Sequence, residues 1–223
     1  MKALKYTLFV LSCASTFAAS SALATLVTWD LNPSGLNAPV GSSSQTYTVS
    51  GYSITAYGYD NSGGVGSAHQ LFFKNGGGDE IGLGLVGTLN NELQVDNAGN
   101  PLHFIQLDLT SILAQGFTNG KISVGSVQLG ESFNLYGSNT LGTLGVKLNG
   151  AAFGSGVDDT FVSVPSFGSY QFLSIVAAAA DVLPVAFQAT IVPIPEAASV
   201  IPVLCLVSLA TAFEIRRRRR AAL

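Results

Sequence analysis

The stretch His103-Phe104-Ile105-Gln106-Leu107-Asp108-Leu109 decides the fold class of this chain. His103, Ile105, Leu107 and Leu109 fall at alternate positions, so they are expected to share one face of a strand. Short segments of the same kind recur through residues 25–192, and Gly, Asn or Ser residues separate them. This spacing predicts about ten to twelve short strands and no long helix.

These strands are expected to form one all-β domain over residues 25–192, an antiparallel β-sandwich or a jelly roll. The first strand is predicted at Thr25–Asp30, and a long aromatic-rich one at 45–59. Residues 110–115 have the composition of a single helical turn. Ala177–Ala180 separates two β-rich runs, which is typical of the end of a hairpin.

The charge of the predicted domain differs from that of the whole chain. The 223 residues carry a formal charge of −3, but residues 25–192 hold three lysines, no arginine and eleven acids, a formal charge of −8. A nucleic-acid partner is not expected, because binding phosphates requires clustered cations. Cys13 and Cys205 both lie outside this range, so no disulfide is expected within the domain.

The first 24 residues have the order of a secretory signal peptide. Lys2 and Lys5 precede an apolar segment, and Ala22-Leu23-Ala24 provides a cleavage site with small residues at the two required positions. Export of the domain is therefore expected.

The last part of the chain, residues 193–223, has the pattern of a membrane anchor. Pro193-Ile194-Pro195-Glu196 is followed by an apolar run from 197 to 213 that continues to Ile215. This run is long enough to cross a bilayer as a tilted helix. The five arginines that follow are expected to keep the chain end in the cytoplasm; they are Arg216, Arg217, Arg218, Arg219 and Arg220.

This order of motif, span and arginine cluster resembles the PEP-CTERM sorting signal of exported Gram-negative proteins. The sorting motif would be Pro193, Pro195 and Glu196, although Ala197 stands where the family has a second proline after the acid. The resemblance implies an inner-membrane precursor, processing by exosortase, and a mature form at the cell surface or outside the cell. The secretion machinery and exosortase are then the expected partners. The alternative is an ordinary single-pass tail anchor.

A second resemblance lies inside the domain. Gly82-Leu83-Gly84-Leu85, Asn90-Asn91-Glu92-Leu93 and the strand 102–109 are similar to a pattern in PEP-CTERM proteins of unassigned function. The resemblance implies a single β-sandwich domain that leads directly into the sorting signal.

The sequence contains no recognisable catalytic motif. His69 and His103 lack the spacing of a zinc site, and no Gly-x-Ser-x-Gly segment occurs between a strand and a helix. The acids of the pairs Asp79-Glu80 and Asp158-Asp159 are adjacent, so on a strand they would point to opposite faces rather than across a sugar. No catalytic residue is predicted.

Calcium is the one metal that the composition favours. Asp79, Glu80, Glu92 and Asp96 are oxygen donors on glycine-rich and asparagine-rich loops of an acidic, exported domain. We therefore predict a structural calcium site on these four residues and no other cofactor.

Two functions remain open from the sequence. The first is a non-catalytic surface or extracellular-matrix protein, associated with exopolysaccharide and sorted by its tail. The second is a lectin-like or glycan-active enzyme domain, tethered to the membrane by a plain C-terminal anchor.

Overall fold

The computed structural model describes residues 23–78 and 80–192, and within them Ala24–Val192 form one compact unit. The unit consists of antiparallel β-sheets with almost no helix, which confirms the predicted all-β class. One α-helix, α1 (Thr110–Ala114), is present in the described residues, where a helical turn was expected. Two 3-10 turns span Leu89–Asn91 and Ser155–Val157.

The strands are short and follow one another closely along the chain. In order, they are β1 (Thr25–Asp30), β2 (Ala38–Pro39), β3 (Ser44–Val49), β4 (Tyr52–Ser62), β5 (Val65–Ala68), β6 (Leu71–Asn75), β7 (Ile81–Leu85), β8 (Leu93–Gln94), β9 (His103–Asp108), β10 (Thr118–Gly125), β11 (Ser132–Ser138), β12 (Val146–Lys147), β13 (Phe153–Gly154), β14 (Val162–Ser163), β15 (Phe172–Ala179) and β16 (Asp181–Ile191).

The five-stranded sheet is built around β16. Its order is β1-β16-β10-β14, and β8 pairs with the start of β16. Thr25 of β1 lies opposite Ile191 of β16. The first and last strands of the unit are therefore neighbours, and the chain enters and leaves at the same end of this sheet.

The eight-stranded sheet has the order β12-β11-β15-β9-β4-β3, with β13 on β11 and β5 on β4. Ser50 and Gly51 connect β3 to β4, and both have positive φ values, 52° and 83°. Such a two-residue turn matches the twist of a β-hairpin. A third sheet of three strands has the order β2-β6-β7.

One hydrophobic core is shared by the two large sheets. Trp29 and Phe187 of the five-stranded sheet and Ile54 and Ile105 of the eight-stranded sheet belong to the same buried cluster. Trp29 is completely buried, and its indole N–H donates to the Tyr52 carbonyl oxygen at 3.0 Å. This bond satisfies the one polar group that burying a tryptophan brings into a core.

The stretch 103–109 is confirmed as a strand, β9, but both of its faces are buried. On the face away from the main core, Phe104 stacks on Tyr59 with ring centroids 4.9 Å apart. The buried Gln106 amide donates to the Thr143 carbonyl at 2.9 Å and accepts from the Gly142 N–H at 2.7 Å. These bonds hold the segment 139–145 over the second face of β9. The alternating sequence pattern predicts that this face is exposed to solvent.

Candidate functional site

An open cleft of about 770 Å³ lies on the outer face of the five-stranded sheet, at the end where the chain enters and leaves. Leu26, Phe117, Val164 and Phe167 supply its apolar surface. Leu26 projects outward because its neighbours in β1 alternate, with Val27 and Trp29 facing the core. The cleft is thus formed by strands that are distant in sequence.

A row of hydrogen-bonding side chains crosses four strands of this sheet. Thr28 lies opposite Gln188, Gln188 opposite Lys121, and Lys121 opposite Ser163. The Gln188 amide donates to the Thr28 hydroxyl at 3.0 Å. We call these four residues the polar row; Gln188, Lys121 and Ser163 line the cleft.

A bulge in β10 shapes the wall beside the polar row. The register between β10 and β16 shifts between Thr118 and Lys121, and Asn119 there has a positive φ of 54°. A Cβ atom on Gly120 would lie only 2.2 Å from the Phe167 ring. The absence of a side chain at Gly120 therefore lets Phe167 lie against the strand, and bulges often place side chains in this way beside binding sites.

Lys121 gives the cleft its charge. The side chain is exposed and forms no ion pair with any of residues 23–78 and 80–192, and the residues that line the cleft include no aspartate or glutamate. The cleft is therefore a locally cationic surface on a domain of formal charge −8.

Chemically, the cleft offers ammonium, amide and hydroxyl groups beside apolar walls. Ligand sites commonly combine apolar walls with a few polar groups that fix orientation. A polyhydroxylated chain such as a polysaccharide matches this set, since its hydroxyl groups both donate and accept. Most glycoside hydrolases use a pair of carboxyl groups, and the residues that line the cleft include none.

Two of the four predicted calcium ligands, Glu80 and Glu92, lie close together because both pair with the same lysine side chain. The Lys74 ammonium lies 3.0 Å from Glu80 Oε2 and also pairs with Glu92 Oε1. Glu92 is 2% exposed and accepts a further bond from the Ser126 hydroxyl at 3.2 Å. Burial raises the pKa of the Glu92 carboxyl, against the lowering effect of Lys74 and Ser126.

The Lys74 ammonium supplies the positive charge that a calcium ion would bring between these carboxylates. Burial alone would lower the pKa of Lys74, but its hydrogen bonds to Glu92 and Glu80 outweigh burial and raise that pKa. The donor set in the described residues therefore fits an ammonium better than a divalent cation. Within residues 23–78 and 80–192, no three His, Cys, Asp or Glu side chains are grouped to hold a metal.

Asp96 and Asp79 do not add to this cluster in the described structure. Asp96 is partly exposed and accepts hydrogen bonds from the Asn100 side chain at 3.0 Å and from the Ala98 and Asn100 N–H groups at 2.8 Å. These bonds, above all those from Asn100, lower the pKa of Asp96. Asp79 lies outside the described residues, and calcium binding by the four acids stays a prediction.

His69 and His103 meet around Asp60, although the sequence separates them widely. His69 Nδ1 lies 2.6 Å from Asp60 Oδ1, and His69 Nε2 lies 2.7 Å from the Val86 carbonyl oxygen. Both His69 nitrogens thus lie within hydrogen-bonding distance of an oxygen atom. A catalytic base needs a free nitrogen for its nucleophile, which His69 does not offer.

His103 completes this group at its inner side. Its Nε2 lies 3.5 Å from Asp60 Oδ1, and its buried Nδ1 has no hydrogen-bond partner among the described residues. Burial lowers the pKa of His103; Asp60 opposes this effect and His69 adds to it. The side chains of Asp60, His69 and His103 thereby connect β4, the segment between β5 and β6, and β9.

The acid pair Asp158-Asp159 also has a local structural role at its first member. Asp158 accepts a hydrogen bond from the Val127 N–H at 2.8 Å, which ties two loops together.

The sorting residues 193, 195 and 196 and the arginines 216–220 lie outside the described residues. Among the described residues, no helix has the length and apolar character needed to cross a membrane.

The sequence analysis missed the cleft and its polar row. Lys121 was visible only as one of three lysines in a domain without arginine, and nothing in its local pattern marked a site. The pairing of Thr28, Gln188, Lys121 and Ser163 depends on strand register, which a single sequence does not specify over such separations.

Comparison with protein-family models, curated proteins and solved structures finds no match to this chain. The resemblance of the tail to the PEP-CTERM signal stays a prediction from the quoted residues.

Proposed function

We propose that this chain is a non-catalytic, exported surface or matrix protein that holds polysaccharide in the cleft beside Lys121. The polar row carries the proposal. Four hydrogen-bonding side chains cross the sheet in line, next to the apolar surface of Leu26 and Phe167. An extended sugar chain lying along such a row would exchange its water contacts for direct hydrogen bonds while its apolar faces cover the walls.

The proposed scaffold for this site is a β-sandwich of the jelly-roll kind, with the five-stranded and eight-stranded sheets as its two layers. The shared buried cluster supports this arrangement, because Phe187 of one sheet and Leu135 of the other belong to it. In such a scaffold the outer face of the five-stranded sheet presents the cleft, whereas the segment 139–145 covers part of the outer face of the eight-stranded sheet.

The proposed route to the surface is export by the signal peptide of residues 1–24, followed by sorting through residues 193–223. Moving an arginine to the bilayer centre costs roughly 2.5–3.5 kcal/mol on insertion scales, so five of them strongly favour a cytoplasmic chain end. Proline at 193 and 195 favours an extended segment, which suits a processing protease. The cleft would then face away from the cytoplasm.

Mass spectrometry of surface or secreted material tests the sorting step. In a host with exosortase, we expect a mature protein that ends near Pro195-Glu196. Recovery of an intact chain that still carries Arg216–Arg220 would replace the sorting proposal with a plain membrane anchor.

A binding assay of the 25–192 fragment on immobilised glycans tests the ligand. We expect retention of at least one polysaccharide without release of products. Lys121→Ala should weaken this binding several-fold, whereas Lys147→Ala should not, since Lys147 is equally exposed but lies on the other sheet. Equal effects of the two substitutions would contradict the cleft as the binding site, and product release would favour the glycan-active enzyme instead.

A further inference from the structure

The strand β3 is an open edge of the eight-stranded sheet. It pairs with β4 over all six of its residues, and within the described part of the chain no strand pairs with its other side. The opposite edge of the same sheet is different, because β12 has two residues and includes Lys147. Short strands and lysines are the usual means of preventing edge pairing.

The register shows which backbone groups of β3 face outward. The two-residue turn at Ser50 and Gly51 makes Val49 and Tyr52 a hydrogen-bonded pair. At the other end of the hairpin, Gly58 N donates to Ser43 O at 2.9 Å, as expected if every second residue of this strand bonds to β4. Alternate residues therefore bond to β4. The N–H and C=O groups of Ser44, Thr46 and Thr48 point away from the sheet.

The sequence of β3 has none of the usual features that prevent pairing, although side chains hold part of its edge. The Ser42 hydroxyl bonds to the N–H and C=O groups of Ser44, and the Gln45 amide donates to the Thr46 carbonyl oxygen at 3.1 Å. The segment Ser-Gln-Thr-Tyr-Thr-Val has no charge, proline or glycine, and its register with β4 is unbroken by a bulge. Thr46 and Thr48 are exposed, and their hydroxyls bond to Thr55 at 2.9 Å and Ser53 at 2.7 Å. This ladder of hydroxyls stops at the edge, where a further strand of threonines would extend it.

The other long edge, β1, is better protected. It ends in Asp30, an exposed carboxylate on an outward-facing position of the strand. Charge on an edge opposes pairing with a second acidic chain. The partner that an uncharged edge of Thr and Ser fits best is an identical edge, because threonine pairs across strands are favourable.

We propose that a second copy of this chain pairs with the first through β3, antiparallel, about a two-fold axis at Thr46. Thr46 would then face Thr46 of the second copy, and Ser44 of each copy would face Thr48 of the other. Each hydrogen-bonded pair exchanges two bonds, so about six backbone hydrogen bonds would join the copies once the Ser42 hydroxyl and the Gln45 amide release the groups of Ser44 and Thr46 that they hold. The two eight-stranded sheets become one continuous sheet, and this assembly is independent of the ligand in the cleft.

The charge of the domain sets the expected salt dependence of this dimer. Each 25–192 unit carries a formal charge of −8, while the β3 edge carries none. Salt screens the long-range repulsion between the copies and leaves the edge contact unaffected. Dimerisation is therefore expected to strengthen as ionic strength rises, the reverse of an interface held by ion pairs.

Sedimentation velocity of the 25–192 fragment, which contains the whole shared core, tests the proposal. The unmodified fragment should show a concentration-dependent dimer. Thr46→Lys and Thr46→Glu should each be monomeric, because the two-fold axis places identical charges face to face. An equimolar mixture of the two variants should dimerise again, since the axis then brings opposite charges together.

Thr28→Lys is the matched control, because Thr28 is an exposed, outward-facing position on β1. It should leave the dimer intact, and circular dichroism should show that all variants keep their β-structure. A fragment that is monomeric at every concentration and salt tested would overturn the proposal. So would a Thr46→Lys variant that still dimerises alone, or a mixture of the two variants that stays monomeric.

Discussion

At the scale of single residues, Lys74 holds the most consequential charge in the domain. It is 7% exposed, and it neutralises Glu92, which is 2% exposed, together with the more accessible Glu80. A buried ion pair adds little stability compared with apolar residues of the same size, but losing one partner leaves the other charge without compensation.

Lys74→Met should therefore destabilise the 25–192 fragment by about 3–5 kcal/mol, measured by urea denaturation. The double variant Lys74→Met with Glu92→Met removes both charges and should regain much of this loss. If the double variant is no more stable than the single one, the Lys74–Glu92 pair is not the source of the effect.

The same geometry gives an expectation for calcium. Because Lys74 already lies between Glu80 and Glu92, we expect a chelator to leave the melting temperature of the fragment unchanged. A ligand bound only to the folded state raises stability, so a clear drop on chelation would show that a divalent cation is held. Asp79→Ala with Glu92→Ala should then abolish the difference if the predicted site is the one occupied.

His103 makes stability depend on pH in a defined direction. Burial lowers the pKa of His103 in the folded state, so as pH falls below the ordinary histidine value of about 6.5 the unfolded chain binds the proton first. The contribution of His103 to stability is fully present above about pH 6.5, and it is lost as the pH falls towards the lower pKa of His103 in the folded state. His103→Phe should reduce the loss of stability below pH 6.5, and thermal melts between pH 5 and 8 will show whether the two curves converge at low pH.

At the scale of elements, β7 explains the motif Gly82-Leu83-Gly84-Leu85. A Cβ atom on Gly82 would lie 2.7 Å from the Pro184 carbonyl oxygen, and one on Gly84 only 1.7 Å from the Asn91 carbonyl oxygen. The two glycines let β7 approach β16 and the 89–91 turn, while Leu83 and Leu85, which alternate with them, enter the core. The spacing of this motif is thus a packing requirement.

Gly84→Ala should cost about 3 kcal/mol or more, because the atom it meets is backbone and cannot rotate away. Gly150→Ala is the control, since a Cβ atom there has no neighbour within 4 Å and its φ is not positive. Comparison of the two melting temperatures tests the contact. Similar small shifts for both would show that the 89–91 turn moves freely.

The elements differ in how far the sequence could predict them. The alternation in 103–109 and the helical turn near 110–115 are local signals, and both are confirmed. The hairpin predicted to end at Ala177–Ala180 is wrong, because β15 and β16 follow one another there but lie in different sheets, and the local sequence does not show which strands pair. The covering of Phe104 and Gln106 by the segment 139–145 was missed, because it depends on contacts far apart in the chain. The cleft has the same cause, since its residues come from β1, β10, β14 and β16.

At the scale of the whole molecule, the unit of residues 25–192 is stabilised by packing without a disulfide. Cys13 and Cys205 lie outside 25–192, so the fragment contains no cysteine. The melting temperature of the protein recovered after export should be unaffected by dithiothreitol, and the circular dichroism of the 25–192 fragment should be dominated by β-structure. A drop in melting temperature with the reductant would mean that the exported protein retains residue 13 or 205.

The pairing of Thr25 with Ile191 has a mechanical consequence. If the domain is held by the chain beyond Val192 while a polymer pulls on the cleft, the force enters at Ile191 and leaves through Gln188, Thr190 and Lys121. This load path crosses only the near ends of β16 and β10. Most of the fold, including the Lys74 cluster, would carry no tension, so the domain could stay folded under a pull that would unzip β1 from β16 if it were applied to both chain ends.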